Sequence, residues 1–412
     1  MLLSNLLEYF SNEKFTYLER KVNDSFYADV SEKYKPLNGA DSFRLPFVSL
    51  NFDNLDYFEA SPDQQVKECI CFGEKIRFFI HPEMIPTYQK RGIKELTNIS
   101  GNFIASPTSS TRTVITLDQN PAFMIKTDLE KKLGDGMRLL KRKHVNHSSR
   151  ICQDLNSAKL PISFAYLPES IGAVYSFNGF EVGMIIRELG IKPRNNQRSC
   201  MFPLFSLFCK DFNKTQDPLL LNQLLENQAS SSKRCFDIFR EQILSPYINS
   251  WAYLILNRGL QLEMHAQNTL LETDENGKVS RVIYRDLQDV FVDLKIRSFK
   301  NLGNLFERNI IGQPERAYKI GNNLITDPEK CRQISYSLVY DYRIGRALDL
   351  FSETLETGGY VLKKDFIAAT KEIWNSNFKG TEIFPKKAYY LKSNQHNLER
   401  ELVFIEDDPK YR

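Results

Sequence analysis

An alternation of apolar and polar positions interrupted by one short polar turn predicts a first β-hairpin over residues 113–129, TVITLDQNPAFMIKTDL. The polar residues from Asp118 to Pro121 form the turn, so the numbers of facing residues sum to about 239. Because cross-strand partners share one face of a sheet, Thr113 is expected opposite Lys126, with Arg112 beside this pair. The hairpin therefore brings a hydroxyl and two cations together.

A second alternating stretch covers residues 265–287, HAQNTLLETDENGKVSRVIYRDL, and turns at Asn276-Gly277. Asn-Gly is the strongest short signal for a tight hairpin turn. With the turn centred there, facing residue numbers sum to about 553, so Asn268 is expected opposite Arg285.

The remaining pattern is mixed. Residues 1–60 are predicted as helix and loop, and ECICFGEKIRFFIHPEMI, residues 68–85, as strands that end at a His-Pro break. Helical spacing occupies 189–260 and continues after the second hairpin to residue 380, before an extended segment and a charged tail. The fold class predicted is α+β.

Composition excludes several classes of protein. A length of 412 residues with 42% hydrophobic content predicts a globular chain of two or three structural units. The net charge of +4 is too small to indicate a nucleic-acid-binding surface. The opening MLLSNLLEYFSNEKF predicts an amphipathic helix rather than a signal peptide, and no apolar run reaches membrane-spanning length. We expect a cytoplasmic protein with no membrane partner.

The seven cysteines do not predict a metal centre. Only Cys69 and Cys71 are close, and alternation would put both on one face of a strand. No second Cys/His cluster completes a tetrahedral site, so reduced cysteines are expected.

The segment before the first hairpin has the chemistry of a phosphate cradle. SPTSSTRT, residues 106–113, is dense in hydroxyls and carries Arg112. Hydroxyls, backbone N–H groups and a guanidinium fork all donate to phosphate oxygens. A Ser/Thr loop alone is usually a solvated turn, but with Arg112, Lys126 and Arg138 it predicts a polyphosphate site.

The start of the second hairpin collects polar groups of another kind. Glu263, His265 and Gln267 are spaced by two, which puts them on one face if the segment is extended. Together with Asn268 and Asp286 they suit a Mg²⁺-phosphate site, because Mg²⁺ prefers oxygen ligands. The alternative is that these groups only cap and solvate strand ends.

The order of these motifs resembles one family. S-S-T-R-T, an I-K strand, an arginine a dozen residues later, E-x-H-x-Q-N and R-D occur in this order in the siderophore synthetases that work independently of non-ribosomal peptide synthetases, of the aerobactin type. The similarity runs from about His81 to Lys392. It implies a cupped hand with strand-rich fingers and a mixed α/β palm, divided as 1–80 (a truncated, thumb-like region), 81–225 (fingers) and 226–412 (palm).

The resemblance assigns roles residue by residue. Catalytic roles fall on Lys126, Arg138 and His265. Nucleotide contacts fall on Ser109, Ser110, Arg112, Thr113, Lys126, Arg138, Gln267 and Asn268, with Lys126 at the α-phosphate. The resemblance assigns Mg²⁺ binding to Glu263, Asn268 and Asp286. The acid substrate falls to Arg138, His265 and Lys387, the last from PKKAYYL, with Lys386 as the neighbouring register and an exposed charged strand end as the plain alternative.

Three departures from the family pattern concern the substrate. His81-Pro82 continues as Glu83-Met84 where the family has tryptophan and glutamine, and Gly134-Asp135 stand where threonine and serine are usual. Only about eighty residues precede His81, where relatives have a long thumb. These departures leave open whether the acid is citrate.

The function that the resemblance implies is an ATP- and Mg²⁺-dependent ligase that adenylates a di- or tricarboxylate and condenses it with an amine or alcohol. This reaction would belong to siderophore biosynthesis and so to iron acquisition, and the resemblance is compatible with a homodimer. One alternative is a kinase-like phosphotransferase, since His, Asn and a later Asp on a hairpin also hold Mg²⁺ in such enzymes. Against this alternative, the sequence contains no H-R-D motif, no D-F-G motif and no glycine-rich loop. The other alternative is a non-catalytic nucleotide-binding relative.

Overall fold

A computed structural model describes most of the chain in two compact units. The first unit comprises residues 1–160, 165–217 and 285–288, and the second 161–164, 218–284 and 289–412. The residues described are 30–34, 42–108, 110, 112–133, 136–194, 200–208, 219–274, 276–313, 317–320, 323–396 and 399–412. The division into thumb-like, fingers and palm regions at residues 80 and 225 stays a prediction.

The first unit is rich in strands. Its strands are β1 (Phe43–Asn51), β2 (Leu55–Glu59), β3 (Cys71–Phe72), β4 (Lys75–Phe79), β5 (Gly101–Pro107), β6 (Thr113–Thr116), β7 (Phe123–Thr127), β8 (Leu129–Leu133), β9 (Gly136–Arg138), β10 (Phe164–Tyr166, which begins in the second unit), β11 (Glu169–Phe177), β12 (Phe180–Glu188) and β13 (Cys200–Pro203). Its α-helices are α1 (Gln64–Ile70), α2 (Ile85–Lys90) and α3 (Arg142–Asn156).

Nine of these strands form one sheet in the order β2-β11-β12-β7-β6-β5-β1-β4-β3. Neighbouring strands in this sheet run antiparallel. The main core contains apolar side chains of β1, β4, β5, β7, β11 and β12, together with those of helices α1 and α2. Because β7 lies inside the sheet, all five of its residues are buried, so any charged residue on this strand is removed from bulk water.

Helix α3 packs on the sheet over two glycines. A Cβ on Gly183 would come within 2.5 Å of the Leu140 carbonyl oxygen, and one on Gly172 within 2.3 Å of a Val145 methyl. The close approach buries Leu140 and Val145 against Val174 and Ile185.

The first predicted hairpin is confirmed and two other predictions are wrong. Thr113 pairs with Lys126, in the expected register. Residues 43–59 form strands β1 and β2 rather than helix and loop. Cys69 lies in helix α1, because the Asp63 side chain caps this helix by accepting from the Gln65 N–H, so Cys69 and Cys71 do not share a strand.

The second unit is mixed. Its strands are β14 (Leu260–Gln261), β15 (Thr269–Thr273), β16 (Val279–Tyr284), β17 (Phe291–Val292), β18 (Tyr318–Ile320), β19 (Asn323–Ile325), β20 (Ala388–His396) and β21 (Glu399–Asp407). Its helices are α4 (Leu220–Glu226), α5 (Ser232–Phe239), α6 (Ser245–Arg258), α7 (Leu294–Phe299), α8 (Pro328–Ser337), α9 (Gly345–Thr357) and α10 (Lys363–Phe378), with π-helical turns at Arg240–Leu244 and Leu338–Ile344.

The second hairpin is confirmed in register as well. Strands β15 and β16 pair Thr269 with Tyr284, and the loop between them contains Gly277 at a φ of 79°. The helices predicted between residues 220 and 380 are present, with short strands among them. The start of the predicted helical stretch 189–260 is wrong, because its described residues up to 208 contain strand β13 and the 3₁₀ turn Leu204–Phe208. In the part of the chain that the structure describes, no helix combines the length and the apolar character needed to cross a bilayer.

Candidate functional site

Lys126 lies near the end of β7, in the interior of the nine-stranded sheet. The register sets it opposite Thr113 of β6 and Ile185 of β12. Its side chain is only 2% exposed, and its Nζ forms an ion pair with the Asp286 carboxylate. The strand lysine and the acidic residue that the sequence predicted as parts of one site are therefore in contact.

Two residues that the sequence analysis missed complete this contact. Arg187 of β12 pairs across the ladder with Glu169 of β11. The Arg187 Nε donates to Glu169 Oε1 at 3.0 Å, and its Nη2 contacts the same oxygen at 2.5 Å. The same Nη2 lies 3.6 Å from Asp286 Oδ1. Asp286 therefore faces two cations, and Arg187 faces two carboxylates.

Arg112 and Arg138 are also brought together. The Arg112 Nη1 donates to the Arg138 backbone carbonyl at 2.8 Å. Thr127, beside Lys126, donates from its N–H to the Arg112 carbonyl at 3.0 Å and from its hydroxyl at 3.1 Å. These bonds fix the end of the predicted phosphate loop against β7.

The loop itself is held by its own hydroxyls. The Thr113 hydroxyl donates to Ser110 Oγ at 3.3 Å, and the Ser110 N–H donates to Thr108 Oγ1 at 3.2 Å. Ser109, Gly134 and Asp135 lie outside the described residues. The roles of Ser109, Ser110 and Thr113 at phosphate stay predictions.

The charged groups of this cluster shift one another's pKa values. Burial lowers the pKa of Lys126, and the nearby Asp286 carboxylate offsets part of this effect. Burial alone would raise the pKa of Asp286, but Lys126, Arg187 and Arg112 outweigh it and hold the pKa well below its usual range. Asp286 is thus a carboxylate, and the ammonium of Lys126 depends on it.

Asp286 is the accessible member of the cluster. Its side chain is 23% exposed, whereas that of Lys126 is 2% exposed. Its backbone has a φ of 80°, a left-handed conformation that is uncommon for a residue with a Cβ. Such conformations concentrate at functional sites, since the surrounding structure must hold them in place.

The segment from Glu263 to Asn268 in the second unit is irregular as far as His265 and forms a turn at 266–268, so no strand places Glu263, His265 and Gln267 on one face as predicted. The Asn268 N–H donates to the His265 carbonyl at 3.1 Å, and the Gln267 N–H to His265 Nδ1 at 3.2 Å. Glu263 forms an ion pair with Arg343, which the sequence analysis also missed. Arg343 belongs to the π-helical turn Leu338–Ile344.

Two further predicted positions have simple local environments. Lys387 precedes β20 and forms an exposed ion pair with Asp408 at 2.5 Å. His81 is fully buried, and its Nδ1 caps the 3₁₀ turn Pro82–Met84 by accepting from the Glu83 N–H at 3.2 Å. Substrate binding by Lys387 stays a prediction.

The residues of the first unit fit a polyanion. Lys126, Arg112 and Arg187 interact electrostatically with Asp286. Lys126 and Arg187 also interact with Glu169, and Arg112 with Asp128, so three cations meet three carboxyl groups. Three cations gathered beside one partly exposed carboxylate suit an anionic ligand. Among the described residues, no group of three or more His, Cys, Asp or Glu has the arrangement of a metal site. The Mg²⁺ assignment to Glu263, Asn268 and Asp286 stays a prediction.

One family model matches part of the chain. Residues 239–377, about a third of the chain, match the family model described as ferric iron reductase FhuF-like transporter. No curated protein matches the sequence.

Solved structures share the fold over most of the chain. The petrobactin biosynthesis protein AsbB from Bacillus anthracis aligns with a TM-score of 0.64 and 15% identity, over 90% of this chain and 68% of that one. The ATP-bound aerobactin synthetase IucA from Klebsiella pneumoniae aligns with a TM-score of 0.65 and 15% identity, over 92% and 71%.

A third structure agrees with these two. Aerobactin synthetase IucC from Klebsiella pneumoniae has a TM-score of 0.59 and 14% identity, over 84% of this chain and 64% of that one. The predicted α+β fold class and the predicted resemblance to aerobactin-type synthetases are therefore confirmed as a likeness of fold.

Proposed function

We propose that this chain is a cytoplasmic ATP-dependent ligase of siderophore biosynthesis, which activates a carboxylic acid as an acyl-adenylate and transfers the acyl group to an amine or an alcohol. One observation carries the proposal: a buried cationic cluster, Lys126 with Arg112 and Arg187, opens at Asp286 in a fold that it shares with an ATP-bound synthetase. The likeness of fold supports the reaction class, and the cluster supports a polyphosphate ligand.

The chemistry needs positive charge at the α-phosphate. A carboxylate oxygen attacks the α-phosphorus of ATP, the bond to the bridging oxygen breaks, and pyrophosphate leaves with the electron pair. An amine or hydroxyl then attacks the acyl carbon, AMP leaves, and the nucleophile loses its proton to a base. The Lys126 ammonium and the Arg112 guanidinium offset the negative charge that builds in the first step. Bound Mg²⁺ would supply further neutralisation of the phosphates.

Asp286 has a role in this scheme whether or not it binds metal. While no anion is bound, it neutralises Lys126 in a buried position where an unpaired ammonium would be costly. An arriving phosphate provides the same negative charge. Asp286 therefore favours the charged form of Lys126 before ATP binds, and phosphate binding needs no solvent reorganisation around the ammonium.

The test is carboxylate-dependent exchange of labelled pyrophosphate into ATP, with citrate, succinate and 2-oxoglutarate as acids, followed by product analysis with polyamines and amino acids. We expect exchange with at least one acid, and AMP and pyrophosphate as products. Formation of ADP would instead support the kinase alternative. Absence of both ATP binding and exchange would support the non-catalytic alternative.

A pair of lysine variants tests the site. Lys126→Met should lower exchange at least about 100-fold, because removing one preorganised charge from a buried site costs about 3 kcal/mol of transition-state stabilisation. Lys67→Met is the matched control, since Lys67 also forms an ion pair, with Glu59 at 2.8 Å, but is 38% exposed. Equal activity of both variants would contradict the assignment of Lys126.

A further inference from the structure

Arg412 is a buried arginine that joins two separate segments of the second unit. Its side chain is 5% exposed. Its Nε donates to both carboxylate oxygens of Asp341, at 2.9 Å each, in the π-helical turn Leu338–Ile344. Its Nη1 donates to the Pro385 carbonyl at 2.7 Å, and its Nη2 donates to the Lys387 carbonyl at 3.0 Å. The guanidinium group therefore connects the π-helical turn to the residues just before β20.

Both segments that Arg412 joins carry residues of the predicted site or their partners. The π-helical turn carries Arg343, which forms the ion pair with Glu263. The other segment carries Lys387, the predicted ligand of the acid substrate, and the Lys387 carbonyl accepts directly from Arg412. Turns of the π type occur frequently at functional sites. Arg412 thus bonds to Lys387 itself and to a residue two positions before Arg343.

We propose that Arg412 is a positioning residue, which fixes the main chain of Lys387 relative to the π-helical turn and thereby sets the affinity of the site for its carboxylic acid. In this role Arg412 acts through Lys387 and Arg343 and not by touching the substrate. The kinetic consequence rests on the proposed function, whereas the coupling between the two segments belongs to the protein alone.

A second hydrogen-bonded connection holds Asp341 from the side of β20. The Ser337 hydroxyl donates to Asp341 Oδ2 at 2.6 Å, and the Ser337 Oγ accepts from the Tyr389 N–H at 2.7 Å. The Asp341 side chain is only 1% exposed, so replacing Arg412 would leave a buried carboxylate without its cationic partner. Because an uncompensated buried charge is costly, we expect the π-helical turn to move when Arg412 is replaced.

The Arg412 side chain is itself held in place. Its guanidinium carbon lies 5.3 Å from the centroid of the Phe384 ring. The preceding residue, Tyr411, is 2% exposed, its carbonyl accepts from the Tyr340 hydroxyl at 3.3 Å, and its own hydroxyl donates to Asp349 at 2.7 Å. A supporting residue must be fixed in this way, because a site that is loose by about 1 Å loses its function.

The kinetic test compares Arg412→Met and Arg412→Lys with wild type in pyrophosphate exchange, at varied acid and at varied ATP concentration. We expect Arg412→Met to raise the KM for the acid at least about 10-fold, because small displacements of positioning groups are costly. The KM for ATP should change less than about 2-fold, since neither joined segment carries a residue predicted to contact the nucleotide. Arg412→Lys keeps the charge beside Asp341 but loses the planar fork, so it should raise the KM for the acid by less. A general loss of folded protein would lower kcat and leave both KM values unchanged.

Lys410 provides the matched control. It lies two residues before Arg412 and also forms an ion pair, with Asp349, but its side chain is 37% exposed and its partner belongs to helix α9 rather than to either joined segment. Lys410→Met should therefore leave the KM for the acid and the KM for ATP unchanged. A rise in the KM for the acid equal to that of Arg412→Met would contradict a specific role of Arg412.

Hydrogen–deuterium exchange without any ligand tests the coupling independently of catalysis. In Arg412→Met, the amides of 338–344 and 385–390 should exchange at least about 10-fold faster than in wild type, whereas those of β15 and β16 should not change. If Arg412→Met does not fold, Arg412→Lys takes its place with smaller expected changes of the same kind.

Three results would overturn the inference: amide exchange that is unchanged in both segments, an unchanged KM for the acid in the active variant, or equal rises in the KM for the acid and for ATP. Faster amide exchange confined to the two segments, in a protein that shows no pyrophosphate exchange, would support the coupling and reject the proposed function. The two failures are therefore distinguishable.

Discussion

Replacing Asp286 by asparagine separates its electrostatic role from its shape. Asparagine keeps a carbonyl oxygen that can accept from Lys126, and it tolerates the left-handed conformation that Asp286 adopts at a φ of 80°. The substitution removes only the negative charge. Lys126, Arg112 and Arg187 are then left with less compensation in a buried place.

The magnitude follows from the contacts. The 3.6 Å separation from Arg187 alone corresponds to about 4 to 5 kcal/mol at an effective dielectric constant of 20, and breaking a buried pair costs about 3 to 5 kcal/mol. Because the Asp286 side chain is 23% exposed, water recovers part of this loss. We expect the free energy of unfolding of Asp286→Asn to be lower by about 2 to 3 kcal/mol at pH 7.

The loss should depend on pH in a defined direction. Asp286 has a folded-state pKa below its unfolded value of about 3.9, so its contribution is complete above that value and is lost as the pH falls through it towards the folded-state pKa. Denaturant unfolding of wild type and variant at pH 7, 5 and 3 measures the difference. A gap that remains constant over this range would refute the electrostatic reasoning.

The same variant also tests the ligand. In the presence of a chelator, ATP should bind Asp286→Asn about 10-fold more tightly, a gain of about 1.4 kcal/mol, because the resident negative charge no longer competes with the phosphates. With Mg²⁺, pyrophosphate exchange should fall at least 100-fold if Asp286 also binds the metal. Weaker binding of metal-free ATP would show that the cluster does not receive phosphate.

Three other substitutions test separate features. Lys387→Ala should leave the unfolding midpoint unchanged, because its ion pair is exposed, and should raise the KM for the acid if Lys387 binds substrate; an unchanged KM would contradict that role. Gly183→Ala should destabilise by about 1 to 3 kcal/mol, since the new Cβ would lie 2.5 Å from the Leu140 carbonyl oxygen, whereas Gly190→Ala, which meets no atom within 4 Å, is the control. Burial raises the pKa of Asp128 to about 7, so the wild-type protein loses stability as the pH rises from about 4 to 7. Asp128→Asn should abolish this dependence and be more stable than wild type at pH 8, by up to about 4 kcal/mol. A parallel pH dependence of the free energy of unfolding in both proteins would disprove this reasoning.

The two hairpins were predictable because short turns determine register locally. An Asn-Gly turn or a four-residue polar turn leaves few alternatives, so Thr113 opposite Lys126 and Thr269 opposite Tyr284 follow from counting residues. The period-two spacing of polar residues gave a wrong prediction where the chain forms no β-strand. Glu263, His265 and Gln267 alternate in sequence, but the chain turns at this point, and backbone bonds to His265 hold the turn.

The partners of the site residues were not predictable, since they come from distant strands. Arg187 is 61 residues from Lys126 in sequence and meets it only because β12 lies beside β7. Arg343 meets Glu263 from a π-helical turn 80 residues away. Neither arginine belongs to a local motif. A single sequence contains no signal for which strands are neighbours when long connections separate them.

Stability alone does not account for the buried cluster. A lysine on an interior strand, surrounded by apolar neighbours, is destabilising unless it is paired, and a well-packed apolar residue there would often be as stable or more stable. The network around Lys126 contains three cations and, with Asp128 beside Arg112, three carboxyl groups, of which that of Asp286 is partly exposed. The accessible member, Asp286, has a left-handed backbone conformation. Buried cations gathered beside a partly exposed carboxylate with a left-handed backbone favour a site for an anionic ligand, and metal-free ATP binding to Asp286→Asn is therefore the decisive measurement.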